Sequence, residues 1–186
     1  RTRDNYELNH IAKFYYKRYS EIYETYSSIY NCDLLSAFKK FEQAGLIETI
    51  TSCATHCFLP NFQDYPQAIK VQVETGYNTH KRLLESEPKG IWLPECAYFP
   101  GLSDVLSKYD LRYFFLDTHG IVHATPQPLY GVYAPIYTPS GVAAFGRDPE
   151  SSKQVWSSVE GYPGDFSYRE FYRDIGYDLD FNYIKE

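Results

Sequence analysis

The feature that most constrains the fold is the alternation of amphipathic helices with short apolar strands. Large apolar residues recur every three or four positions from Leu8 to Tyr30, which predicts one long helix. Capping and spacing signals predict three further helices, from near Asp33 to Gly45, from Asp64 onward with Pro66 in the first turn, and from Pro100 to Tyr109. The apolar runs between them predict strands at LIETI (46–50), GIWL (90–93) and LRYFFLD (111–117). Strands that alternate with helices imply a parallel sheet with crossover helices, so the predicted fold class is α/β.

The stretch from Thr118 to Asp165 is rich in Pro, Gly and Ser and shows no clear period. A loop of this length is uncommon in a compact domain and is usually functional. We therefore expect a long loop insertion at about 118–165, followed by a last helix that begins near Asp165.

Composition excludes several classes of protein. The chain has 18 Lys plus Arg against 24 Asp plus Glu, and its net charge of −6 offers no broad cationic face for nucleic acid. Its apolar runs fall far short of the ~20 residues of a membrane span. Four cysteines beside a sizeable core favour free thiols in a reducing cytoplasm. The 186 residues contain no Met and start within a helical pattern, which predicts an internal fragment of a larger protein.

Chemically useful side chains follow the predicted strands. In a parallel barrel such groups gather at the carboxyl ends of the strands, where active sites form. His56 lies in the loop after the first predicted strand, and Glu95 follows the second. Asp117 ends the third strand, and His119 and His123 come after it. The apolar neighbours of Glu95 predict a carboxylate that is only partly hydrated and able to act as nucleophile or acid. The alternative is a helix cap or an ordinary salt bridge.

Several segments resemble glycoside hydrolase family 57, in particular its branching-enzyme subgroup. The segment GIWLPECAY is similar to the nucleophile motif of that family, and ATHCFLP is similar to the family segment ATHGFLP. The similarity continues through FFLDTHG, YGVYAPIYTPSGVAAFGRDPESSKQVWSS and GYPGDFSYREFYRDIGYD, and it covers the chain at least from Leu34 to Asp180.

The resemblance implies a partial (β/α)7 barrel of an α-1,4-glucan branching enzyme, without cofactor or metal. Glu95 would be the catalytic nucleophile and would form a covalent glycosyl intermediate. The acid/base Asp of the family lies downstream of this chain, and the N-terminal His-x-His segment is missing as well. We therefore expect no turnover from the 186 residues alone.

The same resemblance, together with the aromatic content of 18%, suggests residues that contact the glucan. His56 would bond the sugar beside Glu95, and Asp117 would orient a sugar hydroxyl or instead hold Arg112 or a loop amide. The substrate-binding candidates are His56, Trp92, Asp117, Phe145, Trp156, Arg173 and Tyr177. Phe145, Trp156, Tyr162 and Tyr168 are candidates for an aromatic lid that Arg147 and Asp148 would fix, although each ring could instead seal the loop onto the barrel. His119 and His123 are assigned to loop packing.

The sequence is compatible with two alternative functions. A metal-dependent polysaccharide deacetylase would use Asp117, His119 and His123 as metal ligands, with the two histidines on one helix. The prolines after HGIVHA make a helix there improbable. A non-catalytic glucan-binding protein would keep the aromatic groove without the acid/base.

Cys57 stands where the family has Gly, and it would strain the His56 loop if that position needs a positive φ. Cys53, Cys57 and His56 lack the spacing of a zinc site.

Overall fold

The computed structural model describes residues 5–164 and residue 182. Its helices are α1 (Tyr6–Glu24), α2 (Leu34–Gln43), α3 (Pro66–Leu84), α4 (Leu102–Ser107), α5 (Thr118–Val122) and α6 (Pro149–Trp156). A π-helical turn, Thr25–Ile29, extends α1 and thereby completes the long helix predicted from the sequence. Asn5 and Asp33 cap α1 and α2 by accepting hydrogen bonds from the backbone amides of Leu8 and Ser36.

The strands form one sheet of mixed direction. They are β1 (Thr51–Ser52), β2 (Gly90–Trp92), β3 (Tyr113–Leu116), β4 (Ile136–Tyr137) and β5 (Ala143–Gly146), in the spatial order β1-β2-β3-β5-β4. The first four strands in this order are parallel, and β4 pairs with β5 in the antiparallel direction. The α/β prediction is therefore confirmed, with α3 and α4 as crossover helices between neighbouring strands.

One face of the sheet carries the buried core. Ile91 pairs in register with Phe114, which pairs with Ala144, and all three belong to a cluster that includes Ile69 and Val73 of α3. Side chains alternate between the two faces of a strand, so the next residues along each strand point the other way. The helices thus cover the aliphatic face, and the opposite face bears mainly aromatic rings.

The predicted strand 46–50 is wrong, because its backbone bonds to α2 instead of to a neighbouring strand. The amide of Leu46 donates to the carbonyl of Phe41, and the amide of Thr49 donates to Oε1 of Glu42 at 3.1 Å. Pairing with β2 begins only at Thr51, where β1 starts.

The stretch 118–165 is not loop throughout, since α5, β4, β5 and α6 all lie within it. The sequence AAFG of β5 lacks the alternation of apolar and polar residues that predicts a strand. It forms a strand because it pairs with all four residues of β3. The helix expected near Asp165 lies outside the described residues.

The contact between α3 and β1 depends on Gly76. A Cβ atom at this position would lie 1.9 Å from the carbonyl oxygen of Ser52. We expect Gly76→Ala to lower the free energy of unfolding, measured by denaturant titration, by about 2 kcal/mol or more, because the obstacle is backbone. Gly120→Ala in α5 is the control, since its Cβ would meet only side-chain atoms at 3.5 Å or beyond. Equal stabilities of the two variants would contradict the packing described.

A polar cluster connects the 46–50 segment to α2 and α3 through Thr49. His80 is buried, with Nε2 3.4 Å from Oγ1 of Thr49 and 3.5 Å from Oγ of Ser86. Glu42 accepts a hydrogen bond of 2.8 Å from that Ser86 hydroxyl. Burial lowers the pKa of His80, while the Glu42 charge and a hydrogen bond with the Ile50 backbone oppose the shift.

The lowered pKa of His80 makes stability depend on pH. The unfolded chain, with a His pKa near 6.5, binds this proton more readily than the folded chain. The His80 contribution is therefore complete above that pH and is lost as the pH falls toward the folded pKa. We expect the free energy of unfolding to fall between about pH 7.5 and pH 5.5, and to fall less in a His80→Gln variant. Denaturant titrations at several pH values would measure both slopes, and identical slopes would contradict the assignment.

Candidate active site

Four parallel strands end at the same edge of the sheet, and each is followed by a polar side chain. His56 follows β1, Glu95 follows β2, Asp117 follows β3 and Arg147 follows β5. Because the strands are parallel, these carboxyl ends meet at one edge, where α/β proteins place their binding sites. The sequence predicted the first three as site residues and assigned Arg147 only to fixing a loop.

His56 and Glu95, which are 39 positions apart in the chain, are in direct contact. Nε2 of His56 lies 2.7 Å from Oε1 of Glu95, within hydrogen-bond distance. The two side chains are 71% and 67% exposed. The expectation of a partly dehydrated Glu95 is therefore wrong for this structure, because Pro94 and Cys96 turn inward and leave the carboxylate facing outward.

Glu95 sits on a strained turn. Its φ and ψ are 58° and 23°, and Cys96 follows with φ of 51°, so two successive non-glycine residues adopt left-handed conformations. Each such residue costs about 1–3 kcal/mol, and such residues occur preferentially in functional sites. The turn is closed by hydrogen bonds from the amides of Cys96 and Ala97 to the carbonyls of Leu93 and Pro94.

Asp117 anchors the turn into α5. Its Oδ1 accepts a hydrogen bond from the amide of Thr118 at 2.8 Å, and its Oδ2 lies 3.7 Å from Nδ1 of His119. Asp117 was expected to orient a sugar hydroxyl, to hold Arg112 or to hold a loop amide. The structure shows the bond to a loop amide, and Arg112 bonds to Asp110 at 3.1 Å instead. The Oδ2 atom of Asp117 has no closer hydrogen-bond partner among the described residues and remains available to a ligand.

A cleft of about 720 Å³ lies beside Glu95, a volume within the range of small-molecule sites. Its lining combines two carboxylates, a histidine, aromatic rings and an apolar floor, from Glu95, Asp117, His119, Phe58, Tyr98, Tyr137, Phe114, Leu116 and Ala144. The sequence analysis assigned His119 to loop packing and did not predict Phe58, Tyr98 or Tyr137 as site residues. His119 stands two positions after Asp117, a spacing that could have pointed to it, whereas only the pairing of β4 brings Tyr137 to the cleft.

Two of the predicted sugar-binding rings lie on the opposite face of the sheet. Trp92 and Phe145 both contact Phe115, with centroid distances of 6.1 Å in each case, and Tyr113 completes the cluster. Phe145 therefore belongs to β5 and to this cluster, which contradicts its assignment to a loop lid.

Trp156 is another of the lid candidates. Trp156 ends α6, is 69% exposed and is not among the described residues that line the cleft. Asp148 does fix its loop, because it caps α6 through the amide of Ser151 and accepts a hydrogen bond from the Tyr133 hydroxyl at 3.3 Å. Arg173, Tyr177 and Tyr168 lie outside the described residues.

The geometry around Asp117 and Cys57 bears on the two possible metal sites. Thr118–Val122 is helical, so the expectation that no helix forms after Asp117 is wrong. Within residues 5–164, however, no group of three or more His, Cys, Asp or Glu side chains is arranged to hold a metal ion. Cys57 does not have a positive φ, so it does not strain the His56 loop, and it packs against the core.

No helix in the described part of the chain is long and apolar enough to cross a membrane.

Comparison with known proteins identifies the family. The sequence profile of glycosyl hydrolase family 57 matches residues 2–185. The chain belongs to this family. A 1,4-alpha-glucan branching enzyme of Thermococcus kodakarensis is a relative of this family 57 chain, 34% identical over 195 residues that cover 91% of this chain and 27% of the relative.

Solved structures match the fold of this family 57 chain. The alpha-amylase AmyC from Thermotoga maritima has a TM-score of 0.81 and 48% identity, over 99% of this chain and 36% of that chain. A GH57-type branching enzyme from Pyrococcus horikoshii has a TM-score of 0.80 and 31% identity, over 91% of this chain and 34% of that chain. These matches confirm the partial (β/α)7 barrel, and the chain spans between 27% and 36% of the length of these three relatives.

The cysteine thiols of the chain differ in environment, which predicts their relative reactivity. Burial raises the pKa of Cys53 to about 12 and raises the pKa of Cys96, whereas Cys32 is exposed. Because the thiolate is the reacting form, we expect iodoacetamide to alkylate Cys32 well before Cys53 or Cys96. Peptide mass spectrometry would measure the order, with the denatured chain as control. Early labelling of Cys53 would contradict its burial.

Proposed function

We propose that Glu95 is the nucleophile of a retaining α-glucan transferase and that the full-length protein is a 1,4-α-glucan branching enzyme. The observation that carries this proposal is the contact of 2.7 Å between His56 and Glu95 at the ends of neighbouring parallel strands. It places the two motif residues of the family resemblance together, beside a cleft of suitable size. The similarity to branching enzymes supports the choice of reaction.

The chemistry begins with attack by the Glu95 carboxylate on the anomeric carbon of an α-1,4-glucan. The bond to the departing glucan chain breaks, and an acid protonates its oxygen, leaving a glycosyl ester on Glu95. A 6-hydroxyl of an acceptor glucan then attacks the same carbon while the conjugate base removes its proton, which restores the original anomeric configuration. The acid/base is a second carboxyl at about 5 Å in retaining enzymes, and we assign it to a part of the protein outside this chain.

His56 orients the nucleophile in this scheme. Its hydrogen bond engages Oε1 of Glu95, so the other carboxylate oxygen is available for attack. A fixed carboxylate needs less reorganisation in the transition state than a freely rotating one. His56 therefore acts on Glu95 and, through its exposed edge, can also contact a sugar hydroxyl.

The cleft has the properties that bind a glucan. Tyr137 is 74% exposed and Phe58 is 45% exposed, so both rings can contact the apolar face of a sugar. Asp117 and His119 supply polar atoms for hydroxyl groups. An apolar floor with a few polar groups is the usual composition of a small-molecule site.

Hydrolysis of α-glucans is the second candidate, because the alpha-amylase AmyC is 48% identical over 99% of this chain. The two reactions share the glycosyl intermediate and differ in whether a sugar hydroxyl or water resolves it. The rest of the barrel sets that choice by admitting an acceptor chain or excluding water.

Replacing the nucleophile tests the proposal. In the full-length protein, we expect Glu95→Gln to lower the rate of α-1,6-linkage formation from amylose at least about 10³-fold, because the covalent route is lost. Glucan binding should remain. Glu87→Gln, which removes an exposed carboxylate bonded to Lys81, is the matched control and should leave the rate unchanged.

Linkage analysis and reducing-end assays on the same samples separate the candidate functions. New α-1,6 linkages support branching, whereas reducing ends without new linkages support hydrolysis. Binding without either product in the unaltered protein supports the non-catalytic alternative. Unchanged rates in Glu95→Gln would remove Glu95 from the mechanism.

A further inference from the structure

The hydroxyl of Tyr98, a residue that lines the cleft, begins a chain of hydrogen bonds. Its oxygen lies 3.3 Å from Oγ of Ser103 in α4, and that Oγ lies 3.1 Å from Oγ of Ser140. The Ser140 hydroxyl donates in turn to Oδ1 of Asp104. Together, Tyr98, Ser103, Ser140 and Asp104 form a hydroxyl relay. Because Ser140 lies in the turn between β4 and β5, the relay joins that turn to α4.

The direction of each bond in the relay follows from the number of protons. The carboxylate of Asp104 can only accept, whereas each hydroxyl has one proton to donate. Because Ser140 gives its proton to Asp104, it can only accept from Ser103. Ser103 has then used its own proton, so the hydroxyl of Tyr98 is the donor in the last bond. Ser103 is only 1% exposed, so its hydroxyl depends on these partners instead of bulk water.

The ring of Tyr98 is fixed independently of the relay. It stacks on Phe114 with a centroid distance of 4.9 Å and an interplanar angle of 15°. Phe114 is completely buried, and both rings belong to the lining of the cleft beside Glu95. The position of the Tyr98 hydroxyl and the direction of its proton are thus both set within the protein. With this proton engaged, the Tyr98 oxygen can still accept a hydrogen bond.

We propose that Tyr98 determines specificity in the cleft by accepting a hydrogen bond from one hydroxyl group of the bound glucan. This inference rests on the proposed function, which makes an α-glucan the ligand of the cleft. A sugar hydroxyl can donate to the Tyr98 oxygen, whereas a ring oxygen or a glycosidic oxygen cannot. The relay thereby favours the orientation of the glucan in which a hydroxyl faces Tyr98 and disfavours the others.

This role differs from a purely structural one, in which the relay only ties the turn between β4 and β5 to α4. A structural tie affects the free energy of unfolding, but it does not distinguish a ligand that donates from one that accepts. Replacing a sugar hydroxyl by hydrogen removes both the donor and the acceptor, whereas replacing it by fluorine removes only the donor. Equal losses of affinity from the two replacements therefore identify a hydroxyl that acts as a donor.

The experiment measures the binding of maltotriose and of its monodeoxy and monodeoxyfluoro analogues by calorimetry. It uses the full-length protein with Glu95→Gln, to prevent turnover. We expect one hydroxyl position at which both analogues bind about 3- to 10-fold more weakly than maltotriose, the usual effect of one neutral hydrogen bond. Adding Tyr98→Phe should weaken the binding of maltotriose by the same factor and remove its advantage over these two analogues.

Tyr109→Phe is the matched control for Tyr98→Phe. Tyr109 contacts Tyr77 of α3, with a centroid distance of 5.5 Å, and is not among the described residues that line the cleft. This variant should leave the affinities for maltotriose and for both analogues unchanged.

Ser140→Ala tests the direction of the protons. Without the Ser140 acceptor, Ser103 can donate to the Tyr98 oxygen, which frees the tyrosine proton for the ligand. We expect the fluoro analogue to bind at least about threefold better than the deoxy analogue in this variant. Ser107→Ala is the matched control, because Ser107 ends α4 and its hydroxyl donates to the Asp104 carbonyl at 3.2 Å. It should keep the equal losses seen with an intact relay.

The outcomes separate this inference from the proposed function. Undiminished binding of maltotriose after Tyr98→Phe, or equal binding of the two analogues in Ser140→Ala, would overturn the inference. The proposed function would stand in either case if the unaltered protein forms α-1,6 linkages. Should Tyr98→Phe fail to fold, the analogue comparison in Ser140→Ala decides. Absence of maltotriose binding, together with absence of any glucan product from the unaltered protein, would overturn the proposed function and this inference with it.

Discussion

Parallel pairing of β1, β2, β3 and β5 is the constraint on which the rest of the structure depends. Backbone hydrogen bonds between these strands bring four carboxyl ends to one edge, although the residues that follow them are spread from His56 to Arg147. Each strand has only two to four residues, so the ladders are short and the helices must stabilise them. The buried contacts of α3 and α4 provide that support, and Gly76 permits α3 to approach β1 closely.

The two faces of the sheet have different chemistry, and this difference separates the core from the rest of the barrel. Helices cover the aliphatic face, and the opposite face carries the ring cluster of Trp92, Tyr113, Phe115 and Phe145. Gly90 leaves room for the ring of Tyr113, whose hydroxyl donates to Glu48 at 2.7 Å. In a closed barrel of parallel strands, the face of the sheet that the helices leave uncovered is the interior.

The candidate site combines the exposed carboxylate of Glu95, the proposed nucleophile, with a buried neighbour, Cys96. Glu95 itself is open to solvent, but Cys96 beneath it is buried and the turn is strained. Strain of this kind keeps a side chain in one orientation as long as its neighbours are fixed.

The sequence by itself determined the family, the α/β class, the helices α1 to α4 and the positions of His56, Glu95 and Asp117 after the strands. These follow from local patterns, because helix periodicity, helix caps and motif sequences depend on residues that are neighbours in the chain. Only the tertiary structure decided that 46–50 bonds to α2, that β4 and β5 form in the presumed loop, and that Phe145 joins the ring cluster instead of a lid. It also decided the place of Tyr137 in the cleft. Such contacts arise from strand pairing between distant segments, and no local signal in either segment specifies its partner.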